Sequence, residues 1–194
     1  MLKYIYPCNP KPIDLHSEYF NKLDSDTSWI AGVKKNEWRA DVYHDENGIV
    51  LWTKRQTILH DALPELRKEL AEMIPRNTIV DGGLIEKRTK ETKGKYYAFD
   101  LIMLEGKLLT DRPLEERRAM LDRFLFDTEH IEVEKWVQIG KKNLYYQSIE
   151  GELNEGIVIK KLNSKYYASY RACQDNPFWI KVKKPENAVK TKEA

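Results

Sequence analysis

Apolar residues in this chain follow two rhythms, and the elements can be read from where one gives way to the other. Alternation and short apolar runs dominate. Residues 30–55 read as strand, strand, hairpin turn, strand. Ala40 to Tyr43 and Ile49 to Trp52 flank Asn47-Gly48, a pair suited to the positive φ of a tight turn. Thr78 to Val80 is a short strand that runs into a turn at Asp81-Gly82-Gly83. Tyr96 to Leu104 is a buried strand broken by one acid, Asp100, and Gly106 then turns the chain. Ile131, Val133 and Trp136 to Ile139 are strand-like, as are Gly156 to Lys161 and Trp179 to Lys183. The helical rhythm is rarer. Residues 61–74 place Leu63, Leu66, Leu70 and Met73 or Ile74 on one face, with Asp61 as cap, Pro64 in the first turn and Pro75 as the stop. Residues 111–126 form a second helix, with Pro113 early and Leu114, Leu121, Phe124 and Leu125 inward. A third spans about residues 142–153. Residues 1–29 are an irregular lead-in with a short helix, kept extended at first by Pro7, Pro10 and Pro12. Helices interrupt strands without regular alternation, which predicts an α+β fold with two mainly antiparallel sheets flanked by helices, not a doubly wound one.

Composition narrows the class. With 194 residues, 33% charged and 41% hydrophobic, the chain suits a globular protein with one sizeable core or two small ones, read as a single domain over 1–194 with a disordered tail at 185–194. No apolar run reaches membrane-spanning length, and the start lacks a signal-peptide core. Cys8 and Cys173 have no metal-ligand spacing, so a reduced cytoplasmic setting is expected. His16, His44, His60 and His130 are scattered and pair with no cysteine. The net charge of +2 does not by itself announce a nucleic-acid binder. Two local runs are more basic: Lys87-Arg88-Thr89-Lys90 with Lys93 and Lys95, and Lys181, Lys183, Lys184, Lys190 and Lys192. Both could meet phosphates or be solvated segments.

Chemistry concentrates on Val33-Lys34-Lys35-Asn36-Glu37-Trp38-Arg39. A lysine at the mouth of a hairpin is a nucleophile when deprotonated, and neighbouring cations disfavour its charged form. In the strands Gly156 to Lys161 and Trp179 to Lys183, lysines alternate with apolar residues. The period of two puts Lys181 and Lys183 on one face, with Ile180 and Val182 on the other, and allows only one of Lys160 and Lys161 on a given face. Lysines so arranged neutralise charge developing on a transferred phosphate. Glu155 offers a carboxylate to Mg²⁺ and Phe99 a ring for a base. Phe99 could equally be core packing, Asp100 a structural acid, and Glu155 a strand-end salt-bridge partner.

In order, these boxes resemble the nucleotidyltransferase domain of ATP-dependent DNA ligases, in the superfamily shared with RNA ligases and capping enzymes. The family's Lys-x-Asp-Gly-x-Arg is met by Lys34 to Arg39, and its Ser-Arg-x-Gly loosely by Thr53-Lys54-Arg55-Gln56. Asp-Gly-Glu is met by Asp81-Gly82-Gly83, and the Phe-Asp strand by Phe99-Asp100, followed by the Pro-Leu-Glu-Glu-Arg-Arg run from Pro113 to Arg118. Glu-Gly-x-Val-x-Lys is Glu155 to Lys160. Ser164, Tyr166 and Arg171 precede the closing Trp-x-Lys-x-Lys at Trp179 to Lys183. The likeness covers about residues 30–184.

The resemblance implies an ATP-grasp-like nucleotidyltransferase fold and an ATP-dependent DNA ligase using ATP and Mg²⁺ or another divalent cation. Lys34 would attack the α-phosphate and become lysyl-AMP, and Lys181 and Lys183 would contact that phosphate. Val33, Arg39, Lys54, Arg55, Phe99, Glu155 and Lys160 would serve the nucleotide, Phe99 by packing on adenine, and Glu155 would also hold the metal. AMP would pass to a 5′-phosphate on nicked DNA (or RNA), the protein acting as a monomer with no membrane partner. An RNA ligase, a capping-type guanylyltransferase and a ligase-like module without turnover are the alternatives. Three departures from the pattern matter. Gly83 stands where the family has a glutamate, and Asn36-Glu37 replaces Asp-Gly, so Glu37 is expected to compensate partly for Gly83. The eleven residues after Lys183 are too few for the OB-fold domain of DNA ligases. A longer protein, a natural minimal form or a partner would account for that.

Overall fold

The computed structural model describes residues 2–59, 64–87 and 93–185, without the side chains of residues 86, 87 and 93. It is α+β, and the chain divides into two compact units. One comprises Met1–Cys8, Glu37–Glu134 and Lys165–Gln174; the other comprises Asn9–Asn36, Lys135–Ser164 and Asp175–Ala194.

The second unit is built on a five-stranded sheet of order β1-β11-β10-β2-β9. Its strands are β1 (Asn9–Pro12), β2 (Trp29–Lys35), β9 (Trp136–Val137), β10 (Asn154–Lys161) and β11 (Asp175–Lys183). The two prolines of β1 are tolerated because β1 is an edge strand, paired parallel to β11. The β2–β10 and β10–β11 ladders are antiparallel. One sheet face presents Trp29, Ala31, Ile157, Ile159, Ile180 and Val182 to the core shared with Phe20, Leu23 and Tyr145. Those three come from α1 (Glu18–Ser25) and α4 (Lys141–Glu150). Ser17 caps α1, its hydroxyl accepting from the Phe20 amide at 3.2 Å. Lys141 is fully buried, and its ammonium donates to the Asp24, Asp26 and Gln138 carbonyls. Three donors meet three acceptors near the end of α1, so this lysine is structural.

The other unit holds a six-stranded sheet, β4-β3-β5-β6-β7 with β8 beside β6. The strands are β3 (Trp38–Asp45), β4 (Gly48–Thr53), β5 (Thr78–Lys87), β6 (Lys93–Leu104), β7 (Lys107–Leu108) and β8 (Ile131–Val133). Ala40, Val42, Val80, Leu84, Tyr96, Ala98 and Leu101 form the face that packs on Leu66 and Leu70 of α2 (Pro64–Met73) and Leu121 of α3 (Leu114–Leu121). Arg117 of α3 is fully buried and grips Asp100 of β6 with two hydrogen bonds of 2.8 Å. The next residue, Arg118, donates to the carbonyls of Phe99 and Glu134. Asp100 is therefore the structural acid of the two roles open to it.

The hairpin expected at Asn47-Gly48 forms between β3 and β4, and β2 and β3, on either side of Asn36-Glu37, enter different sheets. Three expectations change. Asp81-Gly82-Gly83 is not a turn; it runs within β5, where a register shift lets an irregular backbone pass through the ladder. Helix α3 ends at Leu121, with Phe124 and Leu125 in turns that still bring Leu125 into the core. Helix α4 runs 141–150, earlier than 142–153, because Gly151 closes it. Asp61, Leu63, His60, Arg88 to Lys90, Lys190, Lys192 and the tail from 186 lie outside the described residues.

Candidate active site

The lysines selected by sequence collect on the sheet face opposite α1 and α4. Across the ladders, Gly156 of β10 faces Lys34 of β2 on one side and Lys183 of β11 on the other. Residues directly opposed across a ladder share a face, so both lysines point the same way. Lys181 pairs with Val158, and Lys160 with Trp179, on that same face. Lys160 is buried, with its ammonium 4.8 Å from the centroid of the Trp179 ring, whose indole N–H donates to Ser164. Lys161 takes the other face, near Trp29 and Phe178. Val33 alternates with Lys34, so its side chain lies away from the lysines.

Glu155 joins them through a backbone irregularity. Between Asn154 and Gly156, β10 carries an extra residue relative to β2. Such a bulge re-aims a side chain, and Glu155 reaches both lysines. Its Oε2 lies 2.9 Å from the Lys34 ammonium and 3.2 Å from that of Lys183. Burial pushes the Glu155 carboxyl upward, but Lys34 and then Lys183 outweigh it and leave its pKa below the usual value. The carboxylate is thus ionised at neutral pH.

Gly156 makes this possible. Its φ is +138°, and a Cβ there would lie 2.0 Å from the Val182 carbonyl oxygen. Gly156→Ala is expected to cost at least ~1–3 kcal/mol through strain and to separate Glu155 from the two lysines. A lower denaturation midpoint together with loss of any chemistry that depends on Lys34 is the expected result.

The other unit carries the remaining candidates. Arg39 pairs with Gly83 across β3 and β5, on the face away from α2 and α3. Its Nε and Nη2 donate to the two oxygens of Asp81, and the Tyr166 phenol donates to Asp81 at 2.8 Å. Burial disfavours the Arg39 charge, yet the Asp81 carboxylate more than restores it and raises the pKa. Sequence reasoning did not find this buried Arg39–Asp81–Tyr166 cluster. Its only signal was the Asp81 and Tyr166 boxes lying in the same motif series. Nearby Asp41 is 1% exposed. Burial, then the Asp81 charge, drives its pKa well up. The Phe99 ring lies on the same side, 5.8 Å from the Arg39 guanidinium carbon. Lys54 and Arg55 sit exposed in a turn where the Thr53 hydroxyl accepts from the Arg55 and Thr57 amides. Arg171 is exposed.

Among the described residues no three acids, histidines or cysteines cluster as a metal site. Glu155 offers carboxylate oxygen on the lysine face, and both ammonium groups share one of its oxygens. That donor set fits a hard cation that takes its other ligands from phosphate and water. Among the described residues no helix is long and apolar enough to cross a membrane.

Comparison with known proteins identifies the family and the fold. A family model described as the ATP dependent DNA ligase domain matches residues 83–183, just over half of the chain. The SPbeta prophage-derived DNA ligase-like protein LigB of Bacillus subtilis is 29% identical over 190 residues, 88% of this chain and 66% of that protein. The DNA ligase of Nanoarchaeum equitans is 35% identical over 92 residues, 45% of this chain and 16% of that one. The chain thus spans less than two thirds of these relatives' length. The ligase domain of M. tuberculosis LigD superposes with a TM-score of 0.67 at 18% identity, covering 90% of this chain and 59% of that one. At that identity the likeness concerns the fold.

Proposed function

Because this chain belongs to the ATP-dependent DNA ligase domain family, we propose that it takes AMP from ATP onto Lys34 and passes it to a 5′-phosphate at a nick in DNA. Residues 1–194 act in this reading as one adenylation domain. The observation that carries it is the shared carboxylate: Lys34 and Lys183 meet on Glu155 at 2.9 and 3.2 Å, on a face that also bears Lys181 and Lys160.

In the first step the deprotonated Lys34 amine attacks the α-phosphorus and a P–N bond forms, the nitrogen giving up one proton to solvent. The bond from the α-phosphorus to the bridging oxygen breaks, and pyrophosphate leaves with that electron pair. Lys183 and Lys181 offset the negative charge that moves through the transition state. With its lowered pKa Glu155 is a weak base, so its part is to hold the amine in place. Glu155 would be the residue to hold a divalent cation, which would supply further charge neutralisation. Phe99 packs on adenine, and Lys54 and Arg55 meet nucleic-acid phosphate. Arg39, committed to Asp81, ties β3 to β5 in the sheet that also bears Phe99.

The test is intact-protein mass after incubation with ATP and Mg²⁺, on protein first treated with pyrophosphate to remove AMP gained during expression. One added AMP with ATP, and none with GTP, is the expected outcome; nicked DNA should then discharge it. A gain from GTP would instead favour capping-type chemistry. No gain from either, in folded protein, would leave a ligase-like binding module.

A further inference from the structure

The ladder between β3 and β5 brings two unusual positions into one space. Arg39 pairs with Gly83, and Trp38 with Leu84, so Glu37, just before β3, lies at the level of Gly83. A Cβ built on Gly83 would fall 2.1 Å from Glu37 Cγ, 3.0 Å from its Cβ and 3.3 Å from its Cδ. All three nearest atoms belong to the one glutamate. Glu37 therefore fills the volume that any side chain at position 83 would need. The carboxylate reaches on toward Tyr97, the partner of Gly83 on β6. The Tyr97 phenol is pushed up to about 12 by burial, then by the charges of Glu132 and Glu37. The location is the sheet face that carries Arg39 and Phe99, away from the helices.

There is room here for one glutamate, arriving from either strand. In the motif pattern the glycine belongs at position 37 and the glutamate at 83; this chain has each where the other is expected. We infer that Glu37 and Gly83 are a transposed pair, and that Glu37 supplies the carboxylate that accepts hydrogen bonds from the ribose hydroxyls of ATP. The inference rests on the adenylylation reading above. A carboxylate accepts and does not donate, which suits a sugar diol beside a base held on Phe99. Neither substitution is a loss on its own, because the side chain removed from β5 is returned from the start of β3.

The experiment measures the initial rate of AMP attachment to Lys34 with ATP and with 2′-deoxy-ATP. It uses wild type, Glu37→Gln, Glu37→Gly, Gly83→Glu and the double exchange Glu37→Gly with Gly83→Glu, each checked for folding by thermal melting. Wild type should favour ATP. Glu37→Gln and Glu37→Gly should slow reaction with ATP by about 10- to 100-fold and flatten the preference over the deoxynucleotide. Gly83→Glu alone should also be slow, since two side chains compete for one space. The double exchange should return both rate and preference to within about threefold of wild type. Glu37 variants that keep the wild-type rate and preference would overturn the inference. So would a folded double exchange no better than the worse single variant; a merely space-filling Glu37 would instead leave Glu37→Gln, which keeps its shape, at the wild-type rate and preference. A wild-type chain that takes no AMP overturns the parent reading and this one together, and that outcome is visible before any variant is compared.

Discussion

Lys34→Ala should remove the AMP adduct and lower nick joining by roughly a thousandfold or more, the scale expected when a covalent nucleophile is lost. Stability should barely change. Glu155 would keep Lys183 as its partner at 3.2 Å, so no carboxylate is left buried and unpaired, and a solvent-screened ion pair is worth about 1 kcal/mol or less. Lys34→Arg sharpens the point. A guanidinium can hold the ion pair to Glu155 but does not lose its proton near neutral pH, so it offers no lone pair. The Lys34→Arg variant should therefore melt like wild type and gain no AMP. An adduct persisting in either variant would move the nucleophile to another lysine of the same face, and peptide mapping would say which.

The largest structural loss is expected from Asp100→Ala. It strips the partner from Arg117 where both side chains are 0% exposed. Leaving one member of a buried pair costs about 3–5 kcal/mol, against a total stability of about 5–15 kcal/mol for a typical domain. The melting temperature should drop by on the order of 10 °C. Removing both charges, with Asp100→Ala and Arg117→Met, should cost less than Asp100→Ala alone. Thermal melts of the two variants and Arg117→Met complete the cycle. A double variant as unstable as the sum of the singles would mean that the charge itself is not what Asp100 answers.

The pairing explains why two boxes read separately in the sequence belong together. Phe99-Asp100 and the Arg117-Arg118 run are halves of one buried contact, with Arg118 binding the backbone of the same strand. Strand alternation made the lysine face legible, because period two fixes sides whatever the neighbouring strand is. Beyond the hairpin at Asn47-Gly48, which strands are neighbours was not legible. Nothing local to Asn36-Glu37 marks that the chain there leaves one sheet for another. The bulge before Gly156 also left no local mark, so Glu155 could be read as a metal ligand but not as the acid between two lysines. Asp81-Gly82-Gly83 resembles a turn by composition. Its glycine at 82 answers a tertiary demand: a Cβ there would meet the Tyr96 hydroxyl at 2.2 Å. The Asp81–Tyr166 bond spans 85 residues, beyond any pattern of spacing.

The parallel pairing of β1 with β11 has a consequence for synthesis. The strand at residues 9–12 emerges from the ribosome well before its partner at 175–183, and β11 also carries Lys183. The segment 165–174, which brings Tyr166 to Asp81, is nearly as late. Contacts this distant in sequence predict slow folding in vitro. Lys34 is made early in synthesis, yet the lysine that shares Glu155 with it arrives only with β11.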